Sequence, residues 1–326
     1  MSSPLAWVNQ HLTTLPRRIS LDWRFQYLAL ALVWGLSFMF ITVSTEVLEP
    51  LQITLGRMGA GALPLVLVLW LTRGRLPRSL QTWTHLMVTA ALLNVIPFTL
   101  FGYATELIPS ALAGICNAAT PLFTVLVSLL LLSDERPTHR RLLGLTLGFI
   151  GILVVFAAWR GVVDADARGM LFAFGATVCY GIGNPYLRRF VSGSGHSVLE
   201  LSTAQMLAGT AQLLVLTPMF TTAPTELPLR VAGAVAVLGV FGTGLAYVLM
   251  YGVIRAAGST VASTVTYVVP VVATAAGVTL LGETLAWNEP LGALIVVAGA
   301  ALCLHTAPSF PQSSRRISNA RWRSAG

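Results

Sequence analysis

Residues 110–121 of this chain read SALAGICNAATP, and residues 259–270 read STVASTVTYVVP. The two stretches share a serine, an alanine and a proline at one offset of 149 residues, and both lie in long apolar runs. At the same offset Asp134 falls on Glu283. Further matches at similar offsets join Arg57-Met58 with Gln205-Met206 and Trp34-Gly35 with Tyr180-Gly181. We therefore expect two copies of one structural unit.

The composition predicts that these units lie in lipid. Hydrophobic residues make up 55% of the chain, charged residues only 10%, and the mean hydropathy is +0.77. A soluble domain carries charge at about a quarter of its positions, whereas a membrane-spanning helix needs roughly 20 apolar residues. We expect an all-α membrane protein with ten transmembrane helices. The ten apolar runs are 25–45, 50–72, 85–107, 110–132, 140–159, 168–188, 197–219, 230–254, 259–281 and 287–306.

The arginines orient these helices. With a cytoplasmic N-terminus, sixteen of the twenty arginines lie in cytoplasmic segments and three lie on the opposite side, so both termini are expected in the cytoplasm. Five spans per copy force the second copy to lie upside down, and inverted repeats around a central cavity are typical of secondary transporters. The expected units are a cytoplasmic segment 1–24, a first five-helix repeat 25–159, a second five-helix repeat 160–306 and a basic cytoplasmic tail 307–326.

The distribution of charge and the cysteines exclude several function classes. The arginines lie in short clusters between apolar runs, whereas nucleic-acid binding needs a basic face on a folded surface. The chain has no lysine, so it lacks a Walker motif and a Schiff-base amine, and we expect no cofactor. Cys116, Cys179 and Cys303 lie within apolar runs without CxxC spacing, which indicates packing residues rather than metal ligands. Short loops and this cysteine usage suit a bacterial inner membrane.

Several motifs resemble those of the EamA-type branch of the drug/metabolite transporter superfamily, over roughly residues 25–306. They are Leu32-Val33-Trp34-Gly35, Arg57, Ser110 to Ala113 leading to Pro121, Leu132-Ser133-Asp134-Glu135, and in the second copy Ser259 to Ala262, Pro270 and Leu281-Gly282-Glu283. The resemblance implies ten helices in an inverted-repeat basket with a central cavity, and export or exchange of amino acids or related metabolites. Gly183-Asn184-Pro185 departs from the family pattern by adding an amide beside a helix break.

Arg57 is the main candidate for substrate binding. It lies about 10 Å along its helix from Leu51, at about 1.5 Å per residue, and charged groups inside a membrane usually face a cavity or a partner helix. Its guanidinium could hold a substrate carboxylate through two hydrogen bonds. It could instead reach the outer interface or pair with Glu106, and both interpretations stay open. Gln205, at the matching position of the second copy, is polar without charge, which indicates that both positions face one central space.

Polar residues accompany four prolines that interrupt the apolar runs: Pro97, Pro121, Pro185 and Pro270. A proline frees a backbone carbonyl, and transporters place their sites at such broken helices, although the same polar residues could simply join helices. Aromatic side chains nearby could line the cavity or only pack. The predicted substrate-binding set is Trp34, Arg57, Asn94, Phe98, Asn117, Tyr180, Asn184, Gln205, Tyr247, Thr266 and Tyr267, with Glu200 as the candidate for proton coupling.

The sequence thus predicts a secondary transporter that exports or facilitates amino acids or related small metabolites by alternating access. Efflux of cationic drugs is one alternative, but it would favour an acidic residue in the cavity, and Arg57 is basic. A membrane-embedded lipid enzyme is the other, but no HExxH or GxSxG motif is present. The expected partners are a small-molecule substrate and the lipid bilayer, and the choice between monomer and homodimer stays open.

Overall fold

The computed structural model describes residues 22–108, 110–132, 138–155, 157–158, 166–281 and 287–305. Asp134, Glu283, most of the N-terminal segment and the basic tail lie outside this set. The described helices are α1 (Trp23–Ser44), α2 (Pro50–Leu71), α3 (Leu80–Leu107), α4 (Ser110–Ala118), α5 (Thr120–Leu131), α6 (His139–Val155), α7 (Ala167–Tyr186), α8 (Val198–Phe220), α9 (Leu229–Ala257), α10 (Ser259–Ser263), α11 (Val265–Leu281) and α12 (Asn288–His305). Each of the apolar runs contains at least part of a described helix, and α3 begins five residues earlier than the run at 85–107.

Four described helices are long and apolar enough to cross a membrane by length and composition. They are α2, α3, α8 and α9, with 22, 28, 23 and 29 residues. Shorter apolar helical stretches occupy Cys116–Leu131, Ser259–Val272 and Pro290–Leu304. Large apolar side chains such as Leu63, Leu130 and Leu229 are exposed on the helix surfaces, an arrangement that suits a lipid solvent. The predicted class, a helical membrane protein, is confirmed.

Helix starts follow the local sequence. Asp166 accepts hydrogen bonds from the backbone N–H groups of Arg168 and Gly169 at the start of α7, and Arg168 lowers the pKa of that carboxyl chiefly through a side-chain hydrogen bond. Ser197 and Glu200 form a capping box at the start of α8.

Helix interruptions lie near three of the four prolines. The chain breaks at Ala119, just before Pro121, and π-turns precede Pro97 (Ala91–Val95) and follow Pro185 (Leu187–Val191). The ninth run differs from the prediction. Its break lies at Thr264, while Pro270 sits inside the continuous helix α11. Thr264 there donates to the carbonyl of Val261, so its side chain takes part in the turn.

Two pairs of helices at matching positions of the two halves pack antiparallel. The beginning of α2 meets the end of α8, where Gln52 Nε2 donates to the carbonyl of Thr222 at 2.6 Å, while Arg75, just beyond α2, donates to Glu200 at the start of α8. In α6 and α12, a Cβ on Gly299 would lie 2.5 Å from the backbone nitrogen of Gly148. These glycines therefore permit close helix packing.

Contacts between the halves are reciprocal. Helix α1 packs against α9 and α11, while its counterpart α7 packs against α3 and α5. Likewise α2 packs against α9, and its counterpart α8 packs against α3. Because each half interleaves with the other in the same way, the middle parts of α2, α3, α8 and α9 meet in the largest buried cluster.

Candidate functional site

Two π-turns mark the point where these four helices meet. One is Ala91–Val95 in α3 and the other is Val240–Leu245 in α9, so both occupy the same region of their repeat. A π-turn leaves the regular ladder of i to i−4 hydrogen bonds, and such turns frequently lie at functional sites. Each carries one polar residue, Asn94 in the first and Thr243 in the second, and Thr243 follows Asn94 by 149 residues.

Arg57 of α2 binds the second π-turn. Its Nε donates to Thr243 Oγ1 at 2.9 Å, its Nη2 lies 3.4 Å from the carbonyl oxygen of Gly242, and Nη1 donates to no described residue. The guanidinium carbon stands 3.8 Å above the centre of the Phe98 ring, a cation–π arrangement. Its planar, weakly hydrated guanidinium suits such stacking better than an ammonium group would. The side chain is therefore held from two sides with part of its donor fork unused.

The charge of Arg57 is buried without a compensating carboxylate. Only 7% of the residue is exposed, and none of the described acidic side chains pairs with it. Glu106, the sequence-based alternative partner, lies exposed near the end of α3. A charged side chain at the centre of a membrane helix costs about 2.5–3.5 kcal/mol in insertion measurements. Because this cation has no partner carboxylate, it can stabilise a bound anion more than a neutral side chain at the same place could.

The second half repeats this arrangement without charge. Gln205 of α8 donates through Nε2 to Asn94 Oδ1 at 2.6 Å, and the hydroxyl of Tyr251 donates to Gln205 Oε1 at 2.5 Å. All three residues are buried. Since Gln205 matches Arg57 and Asn94 matches Thr243, the two polar pairs are equivalent by repeat. One is a neutral network in which Asn94 Nδ2 has no partner among the described residues, and the other carries a cation.

Arg57 lies where α2 crosses α9, and Gln205 lies where α8 crosses α3. These two crossings also differ in how closely the helix backbones approach each other. A Cβ on Gly61 of α2 would lie 2.7 Å from the carbonyl oxygen of Gly239 and 3.0 Å from the nitrogen of Gly244. A Cβ on the matching Gly209 would meet the flexible end of Met58 and stay 3.6 Å from the nearest atom of Ala90. Only the crossing that holds Arg57 thus depends on backbone-to-backbone contact.

Aromatic side chains surround the Arg57 crossing. The indole Nε1 of Trp34 donates to the carbonyl of Gly242 at 3.1 Å, and its ring meets Tyr247 edge-on at 6.3 Å between centroids. The hydroxyl of Tyr247 donates to the carbonyl of Leu93 in the first π-turn. Tyr180 stacks on Phe101, one turn of α3 beyond Phe98, at 6.1 Å. Apolar faces of this kind can pack against an organic substrate whose charged end lies on Arg57.

Other members of the predicted set lie apart from this group. Tyr267 belongs to a separate cluster, where its hydroxyl donates to the carbonyl of Leu145 at 3.1 Å and its ring packs against Gly148. Thr266 donates to the carbonyl of Ser263, and Asn117 accepts from Thr120 in the same turn. These bonds favour the packing interpretation for the three residues. Asn184 is buried, and its Oδ1 has no hydrogen-bond partner among the described residues.

Glu200 has a structural position in this fold. Its carboxylate accepts from the backbone N–H of Ser197 at 2.8 Å and from that of Arg75 at 3.2 Å, and it lies 3.6 Å from His196. These bonds begin α8 and attach the loop after α2. Helix capping is the role that these contacts show, and proton coupling at Glu200 stays a prediction.

Two residues of the crossings were missed by the sequence analysis, Thr243 and Tyr251. Thr243 had a usable signal, since the 149-residue offset that pairs Ser110 with Ser259 also pairs Asn94 with Thr243. Tyr251 had none, because its counterpart at that offset is Gly102, which meets Pro50 rather than a polar group.

Comparison with known proteins adds an independent line of evidence. A model of the EamA-like transporter family matches the chain twice, over residues 23–157 and 167–304. A solved crystal structure with 21% identity has the same fold, with a TM-score of 0.72 over 86% of this chain and 97% of that chain.

Three relatives illustrate the range of similar proteins. The uncharacterized transporter YoaV of Bacillus subtilis is 23% identical over 274 residues, which are 83% of this chain and 93% of that protein. The uncharacterized inner membrane transporter YedA of Escherichia coli is 26% identical over 271 residues, or 82% and 86%. A protein of Salmonella typhimurium named "Probable amino-acid metabolite efflux pump" is 25% identical over 295 residues, or 84% and 92%. The resemblance drawn from the sequence motifs is confirmed.

Proposed function

Because the chain belongs to the EamA-like transporter family, we propose that it is a secondary transporter of amino acids or related small metabolites. It exports or facilitates them by alternating access and performs no catalysis. The observation that carries this proposal is the buried Arg57, whose partly unused donor fork lies among aromatic side chains between the two halves. A guanidinium in such a place matches the carboxylate that these metabolites share.

The proposed architecture is ten transmembrane helices in two inverted five-helix repeats around a central cavity. It is supported by the antiparallel packing of α2 with α8 and of α6 with α12, which are pairs at matching positions of the repeat. It is also supported by the two family matches of similar length. In this arrangement each copy contains five spans, which is an odd number. The second copy therefore has the opposite orientation in the membrane.

We place the protein in a bacterial inner membrane with both termini in the cytoplasm. The arginine distribution supports this orientation, and the relative YedA is named as an inner membrane transporter.

The reciprocal contacts between the halves support alternating access. When the halves exchange conformations, the crossing of α2 with α9 and the crossing of α8 with α3 exchange their exposure to the two sides. Only the first crossing carries charge, so the bound carboxylate stays with Arg57 while access changes. Efflux of cations is not favoured, since a cationic compound would be repelled by the same guanidinium.

Uptake into vesicles tests the proposal. Purified protein in liposomes should move a labelled amino-acid mixture without ATP, and Arg57→Ala should lower that uptake strongly. Arg230→Ala is the matched control, because Arg230 is exposed and pairs with Glu46 away from the crossings. Absence of flux for amino acids and for a broad panel of carboxylate metabolites would refute the proposal.

A further inference from the structure

We propose that the Arg57 crossing selects organic anions of a single negative charge, and prefers them to zwitterions of the same shape. The inference rests on the proposed transport function and narrows its substrate class. It assigns the best substrates to the carboxylates among amino-acid-related metabolites that lack an ammonium group.

The charge balance around the crossing is positive. Every described acidic side chain lies in a loop or near a helix end, and none faces Arg57: Asp22, Glu46, Glu49, Glu106, Asp166, Glu200 and Glu226. Among the described residues, the guanidinium contacts a hydroxyl, a carbonyl and an aromatic ring. The described part of the site therefore carries one net positive charge.

A monoanion and a zwitterion change that charge differently. A monocarboxylate bound to the unused Nη1 side neutralises the site and can form two charge-assisted hydrogen bonds. A zwitterion brings its own cation, so the occupied site keeps one positive charge. Its ammonium would meet only neutral acceptors there, because none of the described acidic side chains pairs with Arg57. Hydrogen bonds to neutral oxygens solvate a charge but do not cancel it in a medium of low dielectric constant.

The internal repeat also shows a crossing of this kind without charge. The matching position of the second half holds Gln205, which is neutral, fully buried and hydrogen-bonded at both amide atoms. The fold can therefore build this crossing without a cation. The positive charge of Arg57 is left for a ligand, because packing does not require it.

Three ligands with the same apolar part and different charged groups test the inference. They are 3-phenylpropionate, L-phenylalanine and phenethylamine, which share a phenyl ring and a two-carbon chain but carry a carboxylate, both charges or only an ammonium. Each is measured for thermal stabilisation of the detergent-solubilised full chain, since ligands that bind the folded form raise its Tm. Each is also tested for uptake into liposomes. The pair 4-methylpentanoate and L-leucine repeats the comparison without an aromatic ring.

We expect both carboxylates to bind at least about tenfold more tightly than the amino acids of the same shape, with no stabilisation by phenethylamine. Arg57→Gln should remove this preference, whereas Arg57→Lys should keep it. Arg230→Gln, the same change at an exposed arginine, should leave it unaltered. If Arg57→Gln does not fold, the ligand series on the unmodified chain and on Arg57→Lys still decides.

The outcomes separate the two proposals. Equal or tighter binding of the amino acids overturns the monoanion preference, while their uptake would leave the transport function standing. Stabilisation by phenethylamine overturns it as well. Failure of every ligand in both the stability and the uptake measurements counts against the transport function itself.

Discussion

Replacing Gly61 by alanine adds one methyl group at the contact between α2 and the second π-turn. The new Cβ would lie 2.7 Å from the carbonyl oxygen of Gly239 and 3.0 Å from the nitrogen of Gly244. Both are backbone atoms of one helix, so neither can move aside alone. Overpacking of this kind costs about 1–3 kcal/mol, partly offset by the roughly 0.8–1.0 kcal/mol that alanine gains over glycine in a helix.

The matched control is the same substitution at Gly209, the equivalent position in the second half. Its Cβ would meet the end of the Met58 side chain, which can change rotamer, and would stay 3.6 Å from Ala90. The gain in helix propensity is common to both variants, so the difference between them isolates the backbone overlap. We expect that difference to be about 1–3 kcal/mol, with Gly209→Ala the more stable protein.

Thermal unfolding in detergent, followed by size-exclusion chromatography, measures the difference directly. Gly61→Ala should have a Tm several degrees below that of Gly209→Ala, and it should transport less, because Arg57 lies one helical turn away. Equal Tm values for the two variants would refute the backbone contact at the Arg57 crossing.

Three further predictions concern individual hydrogen bonds. Thr243→Val removes the hydroxyl that accepts from Arg57 Nε, so the half-saturating concentration of a carboxylate substrate should rise about tenfold, as for a bond to a charged group. Thr243→Ser should restore it, and failure to do so would contradict that role. Tyr251→Phe removes the donor to Gln205 Oε1. The free energy of unfolding should fall by about 0.6–1.7 kcal/mol, with a modestly lower Tm, and an unchanged Tm would contradict the neutral network. Glu46→Gln breaks an exposed ion pair with Arg230. The free energy of unfolding should therefore change by less than about 1 kcal/mol at physiological salt. A larger loss would contradict the interpretation of this pair as a surface contact.

Much of the candidate site could be found from the sequence because its residues break a strong pattern. Arg57 and Gln205 interrupt long apolar runs, and polar groups in lipid need a partner or a cavity. The internal repeat also related the two residues before any contact was known. The same method could not separate Tyr267 from Tyr247, since both are tyrosines in apolar runs. Only their contacts distinguish them, as Tyr247 joins the first π-turn and Tyr267 turns toward α6.

Hydropathy and repeat offsets are properties of the chain read in order, so the class of protein and its duplication could be predicted from the amino-acid sequence alone. The tertiary structure decided which polar groups meet. Arg57 and Thr243 are 186 residues apart and lie in different halves. Helices that are apolar on all sides carry little information about which face meets which neighbour. That choice is made by close packing, and at this crossing by the backbone approach of Gly61 to Gly239 and Gly244.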